Sequence, residues 1–288
     1  MKLSMRSLDL RVLQLSERFG LPTDPVFRLI RARRVIGDVR DWRERRKKAD
    51  AIRLSSPYSK TIDRTKGYFV FNGEFLPEIS EAVGEAARLY EAKRHEISVS
   101  DAKKRFFMNI MTAADLDNCA KITALANHSA MYEAAAAYLG TFPKLRSVGV
   151  YVSEANTSQI SSQMFHYDTN DLTQVKCFIN VNDVGPENGP FTFLSADISR
   201  GIGSRRMGGR VDDEEVFARI SEDDLVSLTG PAGTGAFVDT SKCLHYGSRC
   251  RSGRRIVIMI QYTPHPDLSM KIEKYSRKGT PLLISDGH

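Results

Sequence analysis

Short β-branched and apolar segments, set off by Gly, Pro and Asn, recur from about residue 148 of this 288-residue chain onward. They constrain its fold more than any other feature. Val148-Gly-Val-Tyr-Val152 suits a strand, and Val175-Lys-Cys-Phe-Ile-Asn-Val181 is another candidate. Asp183–Pro190 then supplies the Pro, Asn and Gly of a turn. Phe191-Thr-Phe-Leu194 is short and apolar, and Gly235–Gly247 fits a strand, a turn and a second short strand. Arg255-Ile-Val-Ile-Met-Ile-Gln-Tyr262 is apolar and β-branched enough for a buried strand. The order is the one a β-barrel-like sandwich needs.

The chemistry-bearing residues fall on these same segments. His166 and Asp168 are two residues apart, so on a strand both side chains point to one face. His245 adds an imidazole from a distant stretch. Two imidazoles and one carboxylate fill one triangular face of an octahedral metal and leave the opposite face open, as in non-haem Fe(II) oxygenases. An arginine on the next strand suits the far carboxylate of a 2-oxo acid. Taken alone the dyad is weak evidence. With six histidines and 35 acidic residues, chance supplies about 0.7 of a His-x-acid pair. Its weight comes from the strands around it.

Those pieces resemble the phytanoyl-CoA dioxygenase family of Fe(II)/2-oxoglutarate oxygenases. The matching segments are Gly67-Tyr-Phe-Val-Phe71, Gln163-Met-Phe-His-Tyr-Asp168, Phe178 through Pro190, Gly235-Ala-Phe-Val-Asp239, His245-Tyr-Gly247 and Arg255. They occur in family order over roughly residues 60–265. The resemblance implies an α+β protein with a double-stranded β-helix (jelly-roll, cupin-like) core braced by helices. It implies His166, Asp168 and His245 as iron ligands and Arg255 as the partner of 2-oxoglutarate, with Arg254 next in line because a one-residue register slip exchanges them. Phe178, Gln163 and Thr192 are further pocket candidates, although core packing explains the aromatic equally well. The implied reaction consumes O₂ and 2-oxoglutarate, hydroxylates a C–H bond of a small or lipid-like metabolite, and releases succinate and CO₂. Asp168 leaves no ligand position for chloride, which argues against a halogenase. The family's usual Gly-Ser-His segment is replaced by Ser195-Ala-Asp-Ile-Ser199, expected near the substrate mouth.

Composition is that of an ordinary globular chain, and no run approaches the length of a membrane span. Met1–Leu10 has no apolar signal core, and Cys119, Cys177, Cys243 and Cys250 show no CxxC spacing. Both features point to free thiols in a reducing cytoplasm.

The net charge of +7 is concentrated: residues 28–48 carry ten Lys/Arg against Asp38, Asp41 and Glu44. Residues 1–55 therefore read as a basic helical arm and 56–288 as the oxygenase domain. In the arm, Leu8, Leu10, Val12, Leu13 and Leu15 form an apolar set, Asp24-Pro25 looks like a helix start, and a second helix follows Gly37. The arm is read as covering the barrel flank, with an anionic surface or acidic partner as the other use. Helices are expected at 77–97, 114–127 and 129–139, where His95 and His128 are packing or surface residues. Residues 200–221, rich in Gly and Arg, suggest a lid, and Arg205, Arg206 and Arg210 could meet an anionic substrate. Two competing readings are an oxidative demethylase of nucleic acid and a non-catalytic β-sandwich with a structural metal. The first lacks base-recognition lid motifs, and the full ligand set disfavours the second.

Overall fold

The computed structural model describes residues 21–99, 106–116, 118–203, 205 and 209–265, with Val12, Leu15, Arg18 and Phe19. Leu8, Leu10, Leu13, Arg206 and everything after His265 lie outside the described residues. The elements used below are, in chain order, α1 (Thr23–Gly37), α2 (Val39–Ser55), β1 (Tyr68–Phe71), α3 (Glu78–Val99), β2 (Met108–Asn109), α4 (Ala120–Ala126), α5 (Ser129–Leu139) and β3 (Lys144–Glu154). They continue with β4 (Val175–Asn180), β5 (Thr192–Leu194), β6 (Leu225–Ser227), β7 (Gly235–Val238), β8 (His245–Tyr246) and β9 (Arg254–Thr263). No helix among the described residues is long and apolar enough to cross a membrane.

The strands make two antiparallel sheets, one ordered β1-β7-β4-β9-β3-β2 and one ordered β6-β5-β8. Period-two alternation decides what each face of the larger sheet covers. On β9, Ile256, Ile258, Ile260 and Tyr262 turn toward the helices, with Val175, Cys177 and Ile179 of β4 beside them. Val257 and Met259 turn the other way and join Phe178, Ala236 and Val238 against Phe191 and Phe193 of the smaller sheet. On the helix side, Ile79, Ala82 and Ala86 of α3, Ile122 and Leu125 of α4, and Met131 and Ala134 of α5 complete the larger core. Each fully buried Ile or Leu there contributes about 1.5–3 kcal/mol relative to exposure.

Most expected elements form where the sequence places them. The expected helix at 129–139 is α5, opened by the His128 ring accepting from Ala130 N and closed by Gly140 at φ +72°. The expected helix at 114–127 is instead two pieces, Ala113–Leu116 and α4. Asp115 fixes the start of the first piece: its carboxylate takes the amide and hydroxyl of Thr112 and pairs with Lys93. Asp24 is not a cap. It sits in the first turn of α1 and its carboxylate meets Arg205 at 2.8 Å. The cap of α2 is Asp38, which accepts from Asp41 N at 3.1 Å.

The basic helices are fastened to α5 and to segments that flank the strands of the larger sheet. Phe27 and Ile30 of α1 pack on Leu172. Buried Arg45 of α2 donates to Phe142 O and Pro264 O at 3.0 and 2.7 Å, and Arg53 donates to Ala137 O on α5 at 2.9 Å. Trp42 stacks on His265 with centroids 5.0 Å apart.

Candidate metal centre

His166 and His245 meet through their own backbone. Each amide donates to the other's carbonyl, at 2.9 and 3.1 Å, in an isolated antiparallel bridge that extends the smaller sheet past β8. The pairing sets the two rings 4.3 Å apart. Asp168 follows just beyond the bridge rather than inside a strand, and its amide donates to Thr240 O at 2.9 Å. Its Oδ2 lies 3.8 Å from His245 Nε2, and the candidate ligand atoms of all three residues lie within 4.8 Å of one another.

The ring tautomers follow from their neighbours. Nδ1 of His166 is 2.9 Å from Met164 O, and Nδ1 of His245 is 2.8 Å from Cys243 O. A carbonyl only accepts, so each Nδ1 carries the proton and each Nε2 keeps its lone pair. Burial holds both imidazoles below their usual range, and with His166 beside it His245 falls to about 3. For Asp168 burial acts upward, but Lys176, His245 and His166 together hold the carboxyl far below the usual carboxylate range. Neutral rings beside an ionised carboxylate are what a divalent cation requires. The donor set fits an octahedral ion with its opposite face open, Fe(II) included.

Lys176 is the residue that the sequence reading missed. It stands on β4 two positions before Phe178, so it shares the inner face, and its ammonium reaches Asp168 Oδ2 at 2.7 Å without hydrogen-bond alignment. A cation alternating with core residues on an otherwise apolar strand was the available signal.

Arg255 and Arg254 separate cleanly. Arg255 has the parity of Val257 and Met259 and is buried on the inner face; Arg254 is exposed on the helix side, where it donates to the Tyr90 hydroxyl. Arg255 Nη2 donates to Ser248 Oγ at 3.1 Å, while Nε and Nη1 have no partner. Burial brings its pKa down to about 10. An unpaired buried guanidinium is costly, and a carboxylate would supply the missing acceptors in matching geometry. Gly247, two residues after His245, adjoins this group: a Cβ built there would lie 3.4 Å from Nη2. Phe191 stacks on Phe178 at 4.0 Å and lies 5.4 Å from His245, and its ring also borders Gly247 beside the guanidinium.

The other candidates serve the scaffold. Gln163 is bonded out: its amide donates to Asn156 Oδ1 and Ser248 O and accepts from Ser158 and Ile160 N. It thereby holds the Ser248 turn that supports Arg255. Thr192 shares the face of Leu194, away from Phe193 and His245, and bonds Ser227 Oγ at 3.0 Å. The segment Ser195–Ser199 lies behind the ligands rather than at a mouth. Ser199 Oγ takes the amide of Leu244, and its carbonyl takes the hydroxyl of Tyr167 at 2.6 Å, so it braces both ligand-bearing stretches. His95 is exposed on α3, and His128 lies 3.6 Å from Glu78. Within the Gly- and Arg-rich insertion, Val211 N donates to Phe165 O at 2.8 Å beside His166, and Arg210 donates to Ser161 O at 2.6 Å. The charge of Arg210 is felt at both His166 and Asp168. Arg205 instead ties Asp24 to Asp171 O.

No family model and no curated protein sequence matches this chain. Solved structures do. The epimerase SnoN, crystallised with Fe³⁺, alpha ketoglutarate and nogalamycin RO, is 16% identical over 82% of this chain and 97% of its own, with a TM-score of 0.50. EctD from S. alaskensis with bound Fe is 17% identical over 73% of this chain and 76% of its own, at 0.49. The alpha ketoglutarate dependent carbocyclase SnoK is 14% identical over 74% and 85%, at 0.47. This chain has a fold like that of SnoN.

Proposed function

We propose that the protein is an Fe(II)/2-oxoglutarate-dependent oxygenase whose two sheets are the layers of a double-stranded β-helix. One juxtaposition carries the proposal: a two-histidine, one-carboxylate face and a buried guanidinium with two unsatisfied nitrogens both lie on the inner side of the sheets, with Phe191 beside His245 and Gly247 beside Arg255. SnoN, solved with Fe³⁺ and alpha ketoglutarate, supports it. The sequence segments further favour the phytanoyl-CoA dioxygenase branch.

In this reading His166, Asp168 and His245 hold the ion through Nε2, a carboxylate oxygen and Nε2. When bound, iron with 2-oxoglutarate and O₂ supplies the oxidising power for attack on a substrate C–H bond, giving a hydroxylated product, succinate and CO₂. The chain's own part is placement. Arg255 captures the distal carboxylate, oriented by Ser248, which Gln163 holds by its carbonyl. Phe178 and Phe191 exclude water along the co-substrate's methylene chain. Arg210, at the edge of the ligand strand, offers a cation to an anionic part of a small or lipid-like substrate. A reducing cytoplasm suits both the ferrous ion and the four buried free thiols.

Anaerobic titration of the purified chain with Fe(II) and 2-oxoglutarate tests the proposal, because the chelate gives a visible charge-transfer band. The band is expected in the wild type and in Arg254→Met, lost in Asp168→Ala and His245→Ala, and shifted to much higher 2-oxoglutarate concentration in Arg255→Met. A normal band in the Asp168 and His245 variants would overturn the ligand assignment.

A further inference from the structure

The outward face of α1 carries apolar side chains and that of α2 is basic and ends in exposed Leu54, where a helix pair serving only as a flank cover needs no exposed apolar stripe. Six of the nine exposed large hydrophobic side chains among the described residues fall between residues 15 and 54: Leu15, Phe19, Leu21, Leu29, Ile36 and Leu54. On α1 the inward positions are Phe27 and Ile30, while Pro25, Leu29, Ala32 and Ile36 recur at helical spacing on the outside. Leu29 is 65% and Ile36 76% exposed, and Leu54 at the end of α2 is 90% exposed. Around them Arg28, Arg40, Arg43, Arg46, Lys47 and Lys48 are all exposed.

We infer that this face docks the protein on an anionic phospholipid surface as a peripheral, non-spanning attachment. Aliphatic side chains gain by entering the acyl boundary, and Lys and Arg gain from the negative headgroups, so the two halves of the patch call for one partner. Nucleic acid would use the cations but leave Leu29, Ile36 and Leu54 in water. The inference does not depend on the oxygenase reading, since it uses none of the three candidate ligand residues. It does place the bilayer near the site: Phe27 and Ile30 pack on Leu172, four residues after Asp168.

Co-sedimentation of the full chain with phosphatidylcholine vesicles, with and without phosphatidylglycerol, tests it. The wild type should sediment with the anionic vesicles only, and less as salt rises. Arg43→Glu/Lys47→Glu should lower the partition about tenfold or more, and Leu29→Ser/Ile36→Ser should lower it severalfold with melting temperature and metal binding unchanged. Equal binding to neutral vesicles, or none by the wild type, would overturn the inference. So would retention on a DNA or RNA duplex without vesicle binding. If the serine variant melts well below the wild type and neither binds vesicles, the stripe is covered by the chain itself and the inference fails.

Discussion

Arg255 carries a buried charge with one hydrogen bond, which makes its removal informative in two directions. Replacing an unpaired buried ion by an apolar chain is neutral or stabilising. Arg255→Met should therefore keep or raise the urea midpoint of the ligand-free protein while calorimetric 2-oxoglutarate affinity falls by about tenfold or more. Loss of both would mean that the arginine holds the fold rather than the co-substrate. Lys176 makes a second test, because its ammonium and a divalent cation contend for the same Asp168 oxygen. Lys176→Met should tighten binding of Ni²⁺ or Mn²⁺ to the ligand-free protein severalfold by calorimetry, and weaker binding would show that Lys176 orients the carboxylate. The clustering of His166, Asp168 and His245 was legible because a two-residue spacing works even at the end of a pairing. Register was not: Arg254 and Arg255 differ only in strand parity, which shows once Val257 and Met259 are seen opposite the helices. Lys176 was missed because its partner, Asp168, lies outside β4, on the segment before it.

Among elements, α2 owes its position to side chains reaching backbone on other parts of the chain. Arg45→Met strands the carbonyls of Phe142 and Pro264 and should lower stability by about 1–3 kcal/mol in urea unfolding, with m unchanged. An unaffected midpoint would show that Trp42 on His265 suffices to hold the helix. The turn after β4 is equally specific. Gly189 has φ +69°, and a Cβ there would meet Cys250 N at 2.6 Å, so the Asn188-Gly189 turn admits no side chain. Such turns and α5 could be read ahead of the structure because Gly and Pro act locally. The short piece at Ala113–Leu116 could not, because Lys93 of α3 holds Asp115 from another element.

For the molecule as a whole, buried histidines govern the response to acid. His245 and His265 are each held near 3 by burial, and His166 is lowered too, whereas in the unfolded chain they titrate near 6.5. The unfolded state thus takes up protons first as pH falls from 6.5, so their stabilisation is complete above that value and is lost toward pH 3. Asp171, raised to about 6 by burial, opposes part of this. Melting of the metal-free protein should show a net loss on the order of 1 kcal/mol per pH unit below 6.5, smaller in His265→Phe. Indifference to that substitution would move the acid response to the histidine pair. Bound metal should make the wild-type dependence steeper, since ligation needs neutral rings. The reciprocal amide-to-carbonyl pair joining His166 to His245 has one more consequence. Main-chain hydrogen bonds, not the imidazoles, set the spacing of the pair, so a substitution at either ring should leave that frame standing.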